Sequence, residues 1–255
     1  MPGCDDRSII EVENLSLRFG SIEAVSEVSF QVRKGEIFGL VGSDGAGKSS
    51  LLRVAATLIK PSSGRILIDG LDVVIQKNTV KSKIGYMPQR FGLYQDLTVE
   101  ENLEFFMDIF GVFGHERTER KERYLGFCNL LSFLDRPVGN LSGGMKQKLG
   151  LACVLVHEPE VLILDEPTNG VDPVSRQDFW TMLSQMRKVG KTILISTAYL
   201  DEGEKCDRLA LMHRAKFLAI ATPGEMHVGF PSLEQAMIDK IQNVDQGLLN
   251  EKFKS

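Results

Sequence analysis

Three observations predict an α/β fold with a mostly parallel sheet. Along the 255 residues, apolar runs of strand length alternate with stretches of helical period. The run 37–41 leads into a glycine-rich turn and then an amphipathic stretch at 49–59, which is a strand–loop–helix order. The run 161–164, Val-Leu-Ile-Leu, has no polar residue, as expected of a strand buried on both faces of a parallel sheet.

The elements follow in order. Residues 1–7 read as a loose leader. Segments 9–12 and 25–32 alternate apolar and polar residues, as half-buried strands do, on either side of a turn at Phe19-Gly20-Ser21. These early strands imply an added antiparallel layer. Lys34-Gly35-Glu36 turns into the strand at 37–41. The helix at 49–59 is stopped by Pro61-Ser62-Ser63-Gly64. A strand at 65–69 closes at Asp69-Gly70, and another at 83–87 stops at Pro88-Gln89. From 91 to 156 the period is helical, which implies an inserted helical lobe. Within it, Thr98 and Glu101 have the spacing of a capping box, and further helices are expected at 116–131 and 142–157. After 161–164 come a helix at 174–189, a buried strand at 192–196 and a closing hairpin of 209–212 with 217–220. A helix at 232–242 follows, with the last dozen residues as a tail or linker.

Composition narrows the function. Hydrophobic residues are 43% and charged residues 25%, enough to build a real core. A net charge of -4 and a pI near 5.7 argue against nucleic acid as a partner held by bulk charge. Cys4, Cys128, Cys153 and Cys206 form no C-x-x-C pair, so neither a zinc site nor a disulfide framework is expected, and a reducing compartment fits. The N-terminal residues have no signal-peptide pattern, and no apolar run reaches the length of a membrane span. A membrane part would come from another chain or segment.

The chemistry centres on Gly42-Ser43-Asp44-Gly45-Ala46-Gly47-Lys48-Ser49, which fits G-x-x-x-x-G-K-[ST]. Glycines let successive N–H groups curl around an anion, and the following helix adds its dipole. Lys48 would reach the β- and γ-phosphates of a nucleotide. Ser49 would ligate Mg²⁺, with Ser50 beside it in the same helical turn. The strand at 161–164 ends in Asp165-Glu166. Because strand residues alternate faces, the two acids should have different roles: Asp165 toward Mg²⁺, Glu166 as the general base for an attacking water. A second glycine-rich helix start, Leu141-Ser142-Gly143-Gly144-Met145-Lys146-Gln147, has Ser142 as N-cap and offers another anion-binding terminus.

That heptapeptide resembles the signature of ABC-type ATPases, and it stands before the Asp165-Glu166 strand as in that family. Phe19 matches the aromatic that stacks on adenine. Gln89 matches the lobe-junction glutamine that senses Mg²⁺ and the γ-phosphate, and Asn169-Gly170-Val171-Asp172 matches the loop that crosses the dimer interface. The resemblance covers about residues 8–225. It implies a P-loop NTPase with a RecA-like core, an antiparallel β layer and a helical subdomain at about 91–156, all within an ATPase domain of 1–225. Residues 226–255 would be a C-terminal helix and tail or linker. It implies ATP and Mg²⁺ bound by Phe19, Gly42, Ser43, Asp44, Gly45, Ala46, Gly47, Lys48, Ser49, Ser50, Gln89, Asp165 and Glu166. Ser49, Gln89 and Asp165 would attend the metal, and Glu166, Gln89 and Lys48 the reaction. Ser142, Gly143, Gly144 and Gln147 would act in trans, on the ATP of a second nucleotide-binding domain packed head to tail.

A transmembrane permease subunit would dock at 89–94, where Phe91, Leu93 and Tyr94 either wait for it or pack on the lobe itself. The chain would then sit on the inner face of the cell membrane, in the cytoplasm. Two departures from the family stand out. Ala198 takes the place of a histidine that contacts the γ-phosphate, and Ser43-Asp44 replace the more usual Pro-Asn. The first departure, with the phrases at 84–89 and 168–173, resembles the first ATPase domain of tandem bacterial ABC-2 type exporter ATPases. It implies a slow site on this chain and an active one on its partner. A nucleotide-gated dimerising module that hydrolyses little, and a soluble ABC ATPase unconnected with transport, are the competing readings.

Overall fold

The computed structural model describes residues 7–252, with side chains through residue 247. The leader expected at 1–7 therefore lies outside the described residues except for Arg7, which pairs with Asp69 at 2.8 Å.

Two sheets build the molecule. The larger has six strands in the order β10-β9-β3-β8-β7-β6. Its strands are β3 (Ile37–Val41), β6 (Ile84–Met87), β7 (Val161–Asp165), β8 (Thr192–Thr197), β9 (Arg208–His213) and β10 (Lys216–Ala221). All pairings are parallel except the closing hairpin of β9 and β10. The smaller sheet is antiparallel, in the order β2-β1-β4-β5, from β1 (Ser8–Phe19), β2 (Ile22–Arg33), β4 (Ser63–Ile68) and β5 (Leu71–Asp72). The first two strands run well beyond the segments expected for them. Bulges between Val12 and Leu15 and between Leu15 and Leu17 break the alternation that marks a strand in sequence.

Every residue of β3, β7 and β8 is buried, because both faces of the parallel sheet are covered. The period of two sorts the side chains. Val161 and Ile163 face the antiparallel sheet and α1 (Lys48–Ala55), in a core with Phe38, Leu51 and Ile66. Leu162 and Leu164 face the other side, with Leu103, Leu149 and Trp180. That second side is made by α3 (Val99–Ile109), α4 (His115–Phe127), α5 (Gly143–Leu155) and α6 (Pro173–Lys188). The helical lobe is joined to the core through α5, which packs on β6 and α6.

Several helices also differ from expectation. The first helix ends at Ala55, not near 59. A helix α2 (Lys77–Lys83) has no periodic signal in the sequence, since it buries only Val80 and has no apolar stripe. The tail expected after 241 continues as helix: α8 spans Leu233–Lys252, after a single turn α7 (Pro223–Met226). Leu233, Ala236 and Met237 bury its first half, while Asp245 ties its second half to His213 at 2.9 Å and Arg214 at 3.0 Å. Charge pairing leaves no hydrophobic period, so the sequence beyond 241 looked unstructured.

The capping box is present. Thr98 Oγ1 accepts from Glu101 N at 3.2 Å, and Glu101 Oε2 accepts from Thr98 N at 2.8 Å. Thr98→Ala is expected to lower stability by about 1 kcal/mol, read as a shifted midpoint in urea unfolding.

Candidate active site

Strand order decides what meets at the carboxyl edge of the parallel sheet. β8 lies between β3 and β7, with Val41 opposite Thr197 and Asp165 opposite Ser196. The glycine loop after β3, the acids after β7 and Ala198 after β8 thus open on one edge, where open α/β sheets take ligands.

Gly47 caps α1 with φ +111°, and a Cβ there would stand 2.1 Å from the Ala24 carbonyl oxygen, so only glycine closes this turn. The helix start has no side-chain cap and no acid in its first turn. Its N–H groups are left for an anion, which fits a phosphate. Lys48, only 3% exposed, donates to the carbonyl oxygens of Gly42 at 2.6 Å and Ser43 at 3.0 Å, and its Nζ lies 3.1 Å from Glu166 Oε1. The loop thus holds its lysine extended across its own mouth. Ser43, Asp44 and Gly45 are exposed, so the carboxylate of Asp44 stands at the rim in water; Gly42 and Ala46 are buried.

Asp165 shares the parity of Ile163 and turns toward α1. Its Oδ1 accepts from Ser49 Oγ at 2.8 Å and Ser196 Oγ at 2.7 Å. A hydroxyl and a carboxylate oxygen at this spacing are the hard donors Mg²⁺ prefers, with its other positions left to water and phosphate. Among the described residues no group of three or more His, Cys, Asp or Glu could form an all-protein metal cage.

Glu166 does not continue the strand. Its φ of +47° is left-handed, a strained backbone for such a residue, and its N–H donates to Ser196 Oγ at 3.0 Å. The side chain, 5% exposed, reaches Lys48 with one oxygen. The other accepts from Gln89 Nε2 at 2.9 Å and Asn169 Nδ2 at 3.2 Å. Gln89 is therefore bonded to Glu166 and not to Ser49 or Asp165, where a metal ligand was expected. Strand alternation gave the two acids different surroundings, but not the sharp turn that makes them different.

A cleft of about 190 Å³ opens here, lined by Ile22, Gly45, Lys48, Ser49, Ser50 and Glu166 among others. Phe19 is at the end of β1, 48% exposed and opposite in register to Ile22, which lines the cleft. None of residues 142–147 lines the cleft. Ser142 caps α5 by accepting from Met145 N at 3.3 Å, and both it and Gly143 are exposed. Gly144 is buried, and a Cβ on it would come 2.4 Å from Ser175 Oγ, so glycine lets α5 and α6 meet. Gln147 is half-buried on the same helix. Asn169, expected in the loop that crosses the dimer interface, also bonds the candidate base within the chain, and Ser196 joins the site without having a sequence motif to mark it.

A second cavity, about 200 Å³, lies between the sheet and the lobe, lined by Leu58, Tyr86, Phe91, Phe106, Phe110 and His157 among others. Phe91 meets Phe106 at a tilt of 33° with ring centres 5.2 Å apart and packs, with Leu93, against the lobe core, while Tyr94 stays 48% exposed. The 89–94 stretch is thus divided between self-packing and surface. His157 stacks on Phe110 at 4.0 Å, and burial holds its pKa below the usual histidine range.

Comparison with known proteins agrees with this geometry. The ABC transporter family pattern matches residues 25–169. The probable multidrug ABC transporter ATP-binding protein YbhF of Escherichia coli (strain K12) is 39% identical over 98% of this chain and 44% of its own length. The Nod factor export ATP-binding protein I of Sinorhizobium fredii is 39% identical over 84% of this chain and 63% of its own. The chain thus spans less than half the length of the first relative and under two thirds of the second. A solved ATP-binding subunit of an ABC transporter superposes with a TM-score of 0.81, 28% identity and coverage of 91% of this chain and 99% of the other. With the family pattern matched over residues 25–169 and relatives 39% identical on the same α/β core, the chain belongs to the ABC transporter family.

Proposed function

We propose that this chain binds and hydrolyses ATP to power an ABC-type membrane exporter, through ATP-driven head-to-tail pairing of nucleotide-binding domains. Residues 1–225 would form the ATPase domain and 226–255 an appendage. Phe19 stacks on adenine. The N–H groups at the start of α1, with Lys48, bind the phosphates. Ser49 and Asp165 hold Mg²⁺, which when bound neutralises phosphate charge. Glu166 takes the proton of the attacking water, kept in place by Gln89 and Asn169. The names of the relatives favour export. The apolar cavity beside Phe106 and Phe110 suits a helix of a membrane permease subunit. No described helix is long and apolar enough to cross a membrane, so the chain would attach to the membrane from the cytoplasm through that subunit.

The observation that carries the reading is the division of the site. The cleft is lined by the glycine loop, Ser49 and Glu166, with Asp165 bonded to Ser49 behind it, while Ser142 and Gly143 lie exposed outside that lining. A second domain completes each half. Turnover per molecule should therefore rise with protein concentration. Ser142→Arg should abolish that rise and leave the affinity for a fluorescent ATP analogue within a few-fold. Turnover independent of concentration counts against pairing.

Ala198 favours a second reading. It follows β8 at the open edge and offers only a methyl group. The chain would then bind ATP, pair, and hydrolyse slowly at its own loop.

A further inference from the structure

One carboxylate with no exposure at all lies behind the cleft. Glu202 is in the 3-10 turn Leu200–Lys205 that follows β8, and it is 0% exposed. Thr168 Oγ1 lies 2.9 Å from its Oε1 and 3.1 Å from its Oε2. Thr197 Oγ1 donates to Oε2 at 2.6 Å, and Arg176 Nε donates to Oε1 at 3.1 Å. Arg176 supplies the counter-charge, and its guanidinium also lies 3.9 Å from the centre of the Tyr199 ring and reaches Asp201 at 3.4 Å. A buried carboxylate is costly unless paired and fully hydrogen-bonded, and a fully satisfied buried cluster makes its surroundings rigid.

The donors come from three separate segments. Thr168 is two residues beyond Glu166, in the loop that also contains Asn169. Arg176 is in the first turns of α6, after its N-cap Asp172. Thr197 is the last residue of β8, directly before Ala198. These segments border the open edge on the side away from α1. The left-handed backbone of Glu166 persists only where its surroundings hold it.

We propose that Glu202 is a positioning residue: with Thr168, Thr197 and Arg176 it locks the Glu166 loop to the strand end that carries Ala198. The proposal rests on the hydrolytic reading of the site. Glu202 touches no reacting atom. It sets the distance between the base and the segment that closes over the γ-phosphate from the β8 side. Where a histidine is missing at 198, the backbone of that segment is what remains to shape the pocket, so its placement matters more.

The test is Glu202→Gln in the full chain, with hydrogen–deuterium exchange as the first readout. Faster exchange is expected together in 166–171 and 199–206, with the amides of 42–49 unchanged. Where the wild type turns over, kcat should fall about 10-fold at constant KM, since displacing a base slows the reaction more than it weakens binding. A purely structural role would raise exchange across the sheet and shift KM with kcat. Unchanged exchange in 166–171, or a change confined to 199–206, overturns the lock. Should Glu202→Gln fail to fold, Thr168→Val keeps the carboxylate with Arg176 and Thr197 while removing one donor. It should show the same paired increase at smaller size, and exchange unchanged in either segment again overturns the proposal. A wild-type chain without measurable turnover counts against hydrolysis alone, and the exchange result then decides the lock.

Discussion

Glu166→Gln is expected to lower ATP turnover by about 10²–10³-fold, the scale of a lost general base. Mg-ATP affinity should stay within a few-fold. The physical reason is local. Glutamine has nearly the shape of glutamate, and its amide oxygen can still accept from Gln89 and Asn169, which now meet Oε2 at 2.9 and 3.2 Å. Its amide nitrogen would then face Lys48 Nζ, where Glu166 now offers a carboxylate oxygen at 3.1 Å. The ion pair is lost, and with it the carboxylate proposed to take a proton from water just after β7. Lys48 keeps its two carbonyl partners on the loop, so the phosphate cradle survives. Single-turnover hydrolysis and titration with a fluorescent nucleotide separate the two effects. Turnover that stays near the wild-type value removes Glu166 from the role of base. A large loss of affinity would show instead that the Lys48–Glu166 pair organises the binding loop.

Much of this site was legible because its chemistry is written in short contiguous runs. Gly42 to Ser49 sits between a strand and a helix in sequence as in space, and Ser142 is an N-cap whether or not a partner is present. The antiparallel layer and the lobe followed from hydrophobic period, and the parallel core from the short apolar runs within β3, β7 and β8, which are buried on both faces. What escaped has no period. α2 has a single buried residue, and the second half of α8 is held by Asp245 against His213 and Arg214, not by an apolar stripe. Glu166 could be named from its place after Asp165. Its φ of +47°, and hence its reach to Lys48 and Gln89, is a property of the folded turn. Ser196 and Glu202 act across strand order: Ser196 meets Asp165 because β7 pairs with β8, and Glu202 meets Thr168 because the turn after β8 folds back under the loop after β7. Neither partnership has a fixed sequence spacing to recognise.

Ala198→His is expected to raise turnover by about 10–10²-fold, because one preorganised donor to developing phosphate charge is commonly worth up to such a factor or more. The backbone there is already defined. Thr197 ends β8 opposite Val41, the residue before the glycine loop, and its hydroxyl is fixed on Glu202 while accepting from Tyr199 N at 3.0 Å. The next residue thus leaves the sheet between the loop after β3 and the acids after β7. Ala198 is half-exposed, so an imidazole can replace its methyl without displacing core side chains. A neutral ring there can donate one hydrogen bond toward the terminal phosphate and accept none of the charge. The gain should therefore appear in kcat, with KM nearly unchanged. The same substitution combined with Glu166→Gln should give little, since a better-placed phosphate does not replace the base. The opposite result is equally informative. A wild-type chain turning over at about ten per second, an ordinary enzyme rate, and indifferent to Ala198→His would mean that Glu166, Gln89 and the locked β8 end are already sufficient. The slow-site reading would then fail while ATP hydrolysis stands.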